Sequence, residues 1–167
     1  MQSESRRKFI GMAIGAITGI IAIGYAFPLV SYFVKPSLQK REESWAEAGD
    51  ISGLVTDEPR TFRFTSSIKS GWMQQQVKHD VWAVKTSGGS IKVYSPVCPH
   101  LGCGYHWDQA SGRFMCPCHA SVFSVGGKVL GGPAPRGLDL LPSKVEDGRL
   151  FVQYKSFRLG IPQQIEA

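Results

Sequence analysis

The chain has 167 residues, 43% of them hydrophobic and 19% charged, with a net charge of +6. The surplus is uneven: residues 46–167 carry 13 Lys and Arg against 10 Asp and Glu, and the remaining excess flanks an apolar amino-terminal run. This is no nucleic-acid footprint, which needs basic charge gathered on the folded domain, and the roughly 120 residues after the run suffice for one compact domain.

In chain order, residues 1–8 end in Ser5-Arg6-Arg7-Lys8, followed by Phe9-Ile10. The string fits a twin-arginine export signal, although an arginine pair before an apolar run is also ordinary positive flanking. Phe9 to Val34 is an uncharged run of 26 residues. As a helix it would be about 39 Å long, more than the roughly 30 Å of hydrocarbon in a bilayer. A single transmembrane helix over residues 9–34 is expected, with Pro28 kinking it near the far end. The A-x-A string nearby, Ala46-Glu47-Ala48, lies well past the run, beyond Lys35, Lys40 and Arg41. The segment is therefore expected to stay on the protein as an anchor. Three basic residues stand near each end of the run (Arg6, Arg7, Lys8 against Lys35, Lys40, Arg41), so charge bias leaves its orientation open.

Residues 35–45 are polar, contain Pro36, and read as a linker. Beyond it, alternation of apolar and polar residues predicts strands at 61–65, 77–85, 91–95, 113–116, 122–125, 128–130 and 150–155. Gly88-Gly89, Gly126-Gly127 and Asp147-Gly148 mark turns, and Pro133 and Pro135 bracket a rigid loop. The folded part, residues 46–167, is expected to be all-β.

Two strings concentrate the chemistry: Cys98-Pro99-His100-Leu101-Gly102-Cys103 and Cys116-Pro117-Cys118-His119-Ala120-Ser121. They hold all four cysteines and two of the four histidines. Six such side chains are too many for one tetrahedral ion. Thiolates from Cys98 and Cys116 on one iron, with imidazoles from His100 and His119 on a second, would make a mixed 2Fe–2S centre. Two neutral imidazoles in place of two thiolates make the cluster less negative and raise its potential, to roughly −150 to +300 mV for such centres. Cys103 and Cys118 would then be surplus. Joined, they would close a loop of about 15 residues and contribute on the order of 3 kcal/mol. A structural zinc site or two plain disulfides are the competing readings. The first sits poorly with the C-x-H spacing, and the second does not explain the histidines. His79 reads as an ordinary surface residue in a strand. His106 reads as a structural neighbour of the site, not a ligand.

The two strings closely resemble the CTHLGC and CPCHGS boxes of Rieske iron–sulfur proteins from cytochrome bc-type complexes, including the extra cysteine pair. Gly131-Gly132-Pro133-Ala134-Pro135 is similar to the family's proline loop. The resemblance implies a Rieske fold: stacked antiparallel sheets with a smaller cluster-binding lobe over about residues 96–136. It implies a 2Fe–2S cofactor held by Cys98, His100, Cys116 and His119, and a disulfide between Cys103 and Cys118. His119 would meet the quinol oxygen, with His100 nearby as the second functional imidazole. Leu101 and the loop containing Pro133 would cover the cluster, and Ser121 would donate to a cluster sulfur. The chain departs from the boxes at Pro99 (usually threonine) and Ala120 (usually glycine). Phe123 stands where high-potential members carry a tyrosine that donates to the cluster.

The family also implies partners: a cytochrome b subunit, a c-type cytochrome, quinol and membrane lipid, in a parent complex that is dimeric, with the quinol's two electrons parting between this subunit and the cytochrome b haem. The chain would be an electron-transfer subunit of a quinol–cytochrome c oxidoreductase, anchored by one span. The disulfide needs an oxidising compartment, so the head should face away from the cytoplasm. With no hydroxyl at Phe123, the potential should lie in the lower part of the bc-type range, which suits a low-potential quinol such as menaquinol. A cytochrome bf complex and arsenite oxidase are the alternative parents.

Overall fold

The computed structural model describes residues 2–38, 45–70 and 73–167 of the chain, and the helix and the β-rich head form separate compact units. The apolar run lies within one helix, α1 (Gln2–Leu38), about 55 Å long. Phe9, Ile14, Ile20, Phe27 and Phe33 stand exposed around its circumference. An all-apolar surface of this kind suits lipid rather than water. The stretch from Glu4 to Lys35 is long and apolar enough to cross a membrane. The helix is longer than expected at both ends. The arginine string lies within it, and Lys35–Leu38, expected in the linker, form its last turn despite Pro36. Pro28, expected to kink the run, leaves the helix unbroken. The Ser31 hydroxyl donates to the Pro28 carbonyl at 2.9 Å. The other expected linker residues up to 44 lie outside the described residues.

The head contains ten short to medium strands among the described residues. They are β1 (Ala46–Asp50), β2 (Arg60–Ser70), β3 (Met73–Lys85), β4 (Ile91–Tyr94), β5 (His106–Asp108), β6 (Arg113–Cys116), β7 (Ser121–Ser124), β8 (Val129–Gly131), β9 (Ser143–Glu146) and β10 (Arg149–Val152). They form three sheets with strand orders β1-β10-β9, β2-β3-β4 and β5-β6-β7-β8. The all-β expectation holds, and each of the seven predicted strands overlaps an observed one. Three strands escaped prediction. β5 (His-Trp-Asp) and β9 (Ser-Lys-Val-Glu) each hold a single apolar residue, so no apolar alternation marks them. β1 (Ala-Glu-Ala-Gly-Asp) has little intrinsic strand character and acquires it by pairing with β10, Ala46 opposite Val152. The predicted turns are present: Asp147 and Gly148 take φ of 49° and 75° between β9 and β10, the primed-turn geometry that matches strand twist.

The middle sheet separates two cores. Period-two alternation on β3 sends Val81 and Ala83 to one side and Trp82 and Val84 to the other. The first core joins Val81, Ala83 and Val93 to Phe62, Phe64, Leu141, Leu150 and Val152. The second packs Val84, Tyr94, Tyr105, Phe114, Phe123 and Leu138 around Cys98 and Cys116. Phe114 and Phe123 face each other across β6 and β7 and are fully buried, contributing about 1.5–3 kcal/mol each by burial. The second core is thus the floor on which both cysteine strings stand.

His79 is not the surface residue expected. It stacks on Tyr154 with ring centroids 3.8 Å apart, and its Nε2 lies 2.9 Å from the Ser66 hydroxyl. Burial pushes its pKa below the ordinary histidine value. The tyrosine came from a remote strand end, which alternation within β3 could not reveal.

Candidate metal centre

The first string makes a tight turn between β4 and β5. The Cys98 amide donates to the Cys103 carbonyl at 2.8 Å, and the Gly102 amide donates back to the Cys98 carbonyl at 3.0 Å. Gly102 has φ of +84°, which glycine adopts without strain. The base of the turn is fixed by Tyr105, whose buried hydroxyl donates to the Ser95 carbonyl at 2.6 Å. The Ser95 amide in turn donates to the Asp139 carbonyl at 2.9 Å. This seats Cys98 in the core and leaves Leu101, 61% exposed, at the apex.

The second string is the hairpin turn between β6 and β7, closed by Cys116 opposite Ser121. Cys116 and Ser121 are buried, while Pro117, Cys118, His119 and Ala120 are exposed. Ala120 has φ of +55°, a conformation that costs a side-chain-bearing residue roughly 1–2 kcal/mol. The third loop packs on this turn. A Cβ added at Gly132 would lie 2.5 Å from Ser121 Cα and 2.6 Å from the Ala120 carbonyl oxygen. Only glycine permits that approach. Pro133 is exposed beside it, and Ala134 is buried in the second core.

The disulfide between Cys103 and Cys118 is present and ties the two turns together. Cys98 and Cys116 remain as free, buried thiols. The rings of His100 and His119 meet edge-on, centroids 4.8 Å apart. His119 is exposed and His100 half-buried. His106 is exposed on β5 opposite Met115.

The electrostatics of the thiols bear on what can occupy this site. Burial pushes the Cys98 thiol up. The His100 amide pulls it down, the adjoining Cys116 pushes it further up, and the Ser121 hydroxyl pulls it down. The Cys98 thiol, beside Cys116 in an apolar floor, resists ionisation, and a bound cation would favour its thiolate. The buried Ser121 hydroxyl has no oxygen or nitrogen partner among the described residues and acts on the Cys98 sulfur, where a donor to a soft acceptor belongs. Among the described residues no three His, Cys, Asp or Glu side chains converge on one point. A diiron centre asks for only two protein ligands on each iron, so a paired-thiol, paired-imidazole donor set fits such a cluster.

Two features were missed by sequence reasoning. Arg136 and Asp139 form a buried ion pair directly after the proline loop. The chain beyond Lys155 returns to the first turn, where the Gly160 amide donates to the Pro99 carbonyl at 2.9 Å. Neither has a periodic or motif signal of its own.

The family model described as Rieske [2Fe-2S] domain matches residues 60–144. The iron–sulfur subunit of a menaquinol:cytochrome c reductase from Geobacillus thermodenitrificans is 30% identical over 154 residues, covering 89% of this chain and 90% of the relative. The iron–sulfur subunit of a cytochrome b6-f complex from Synechococcus sp. (strain JA-3-3Ab) is 33% identical, covering 85% and 83%. Among solved structures, the plasma membrane Rieske protein PetC3 of Synechocystis PCC 6803 is 28% identical with a TM-score of 0.47, covering 65% of this chain and 98% of that one.

Proposed function

This chain belongs to the Rieske iron–sulfur family, and on that premise we propose that it is the electron-transfer subunit of a membrane quinol–cytochrome c reductase, with menaquinol as the reductant. The observation that carries this reading is the division of the site by burial. Two thiols lie in the core, and two imidazoles stand 4.8 Å apart with His119 exposed. The 2Fe–2S cluster supplies one-electron redox chemistry when bound.

In this reading Cys98 and Cys116 hold one iron and His100 and His119 the other. The exposed His119 meets the quinol hydroxyl and takes up its proton on the ring nitrogen left over from metal binding. Leu101 and Pro133 form an apolar rim that excludes water. Ser121 donates to a cluster sulfur. The domain division is residues 1–8 on the cytoplasmic side, 9–34 as the span, 35–45 as the linker, of which Lys35–Leu38 continue α1, and 46–167 as the head, with the cluster lobe at about 96–136. The disulfide supports a head outside the cytoplasm, because that bond persists in oxidising compartments. Export through the twin-arginine route and retention of the anchor follow the same reading. Ala46 and Ala48 pack against the first core, so cleavage at Ala46-Glu47-Ala48 would cut into a folded sheet. A cytochrome b subunit, a c-type cytochrome and a dimeric parent complex are the partners.

Menaquinol is the preferred reductant because Phe123 is fully buried in the second core, among the site's cysteines, and has no hydroxyl to offer. A donor at that position would stabilise the reduced, more negative state. Phe123→Tyr should raise the midpoint potential, by at most about 60–130 mV for one charge-assisted hydrogen bond. Protein-film voltammetry reads this directly, and no rise, or a fall, counts against a low-potential role. The cyanobacterial relative favours a second reading, a cytochrome bf complex. Purification through a tag on this chain separates the parents: a haem b protein with menaquinol-dependent reduction of cytochrome c supports the first, plastoquinol dependence the second, and a molybdenum protein would point to arsenite oxidase.

A further inference from the structure

We propose that residues 156–167 form a strap, clamped by Arg136, that fixes the Pro99–Gly102 turn and with it the ring of His100. The strap folds back on itself: Phe157 bridges Glu166, the Arg158 amide donates to the Ile165 carbonyl and the Ala167 amide to the Ser156 carbonyl. Its apex rests on the first cysteine string. The Gly160 amide donates to the Pro99 carbonyl at 2.9 Å. Leu159 crowds Gly102 so closely that an added Cβ there would be 2.9 Å from the leucine Cδ1. The disulfide ties down the trailing end of the turn, at Cys103, and the strap holds its leading edge.

Arg136 is the clamp. Its guanidinium donates from Nε and Nη2 to the two Asp139 carboxylate oxygens, each at 2.8 Å, from Nη1 to the Ile161 carbonyl at 2.6 Å and from Nη2 to the Arg158 carbonyl at 2.8 Å. Both charged side chains are nearly fully buried, 8% and 4% exposed. A buried pair of this kind adds little net stability over an apolar substitute. Its donors are instead spent on geometry, since a planar five-donor fork can reach four acceptors at once and an ammonium cannot. Arg136 follows the proline loop directly, and the Asp139 carbonyl receives the Ser95 amide below Cys98. One side chain therefore links the proline loop, the base of the first turn and the strap that holds the turn's leading edge. Arg136 is a positioning residue: it touches neither quinol nor metal and acts through His100.

The inference rests on the ligand assignment above only for its effect on His100. The test uses the full-length chain carrying its cluster, in detergent, as wild type, Arg136→Lys, Leu159→Ala and a chain ending at Ser156. Hydrogen exchange of the amides of residues 98 and 100–103 should quicken at least about tenfold in Arg136→Lys and in the shortened chain, where hydrogen bonds to a charged group are lost, and less in Leu159→Ala. Amides 113–124 of the second turn should keep their rates. The EPR spectrum of the reduced cluster should broaden or shift with the loss of a fixed imidazole orientation. Unchanged exchange at 98–103 in every variant, equal loosening of both turns, or an unaltered EPR spectrum despite faster exchange would each overturn the proposal. If the shortened chain does not fold, the two point variants carry the test. A wild-type protein without a cluster signal would sink the ligand assignment instead, and exchange would still judge the strap.

Discussion

The two cores of the head are held by different means. The first, behind β1, β9 and β10, is a set of wholly apolar side chains such as Val81, Val93, Leu150 and Val152, each essentially buried. The second includes two thiols and two tyrosines, and the turns above it are fixed by a disulfide, by positive-φ residues at 102, 120 and 132, and by backbone contacts too close for a Cβ. The first core works by volume and should accept conservative repacking. The second works by position, because ligands must be held within a fraction of an ångström to grip a cluster. Stability and function are thus divided between two sides of one sheet.

The largest expected effect that tests this division is at Gly132. Gly132→Ala drives a methyl into the Ser121 backbone at a φ of +85°, which should cost about 2–5 kcal/mol and abolish cluster loading. Urea unfolding and visible absorption check it, and a normally loaded, stable variant would break the contrast. Leu150→Ala in the first core should cost a similar 2–5 kcal/mol. It should leave the visible spectrum and potential unchanged in the protein that remains folded. A spectral shift there would mean that the cores are not independent. Cys118→Ser opens a bridge spanning 15 residues and should lower stability by about 3 kcal/mol and reduce cluster occupancy, while all four proposed ligands remain. Full retention of occupancy, stability and potential would show that the bridge is dispensable. The smallest effect is a gain. Ala120→Gly relieves a φ of +55° and should stabilise the second turn by up to about 1 kcal/mol, since the greater freedom of glycine in the unfolded chain offsets part of the relief.

These regions were also unequally legible in the sequence. Cysteine and histidine are chemically distinctive, so the strings carrying Cys98, His100, Cys116 and His119, the proposed ligands, and the bonded pair Cys103 and Cys118 are legible at once. The primed turn at Asp147-Gly148 was legible because few residues tolerate its φ values. β1 was not, because its strand character comes from β10, about a hundred residues away. The extension of α1 through Lys35–Leu38 was hidden by polar composition and by Pro36, which ordinarily ends a helix. His79 was misread for lack of Tyr154. The Arg136 clamp joins residues 22 and 25 positions apart through backbone carbonyls, and carbonyls carry no sequence identity.

The central claim is that two cysteines and two histidines share a diiron centre at the tip of the head. Pulsed EPR of the reduced protein grown with nitrogen-15 histidine tests it most directly. The account predicts two distinct, directly bound imidazole nitrogens, both absent or replaced when His100 and His119 are substituted. A protein that shows no nitrogen coupling, or that is colourless and iron-free when made in cells able to build such clusters, would contradict it.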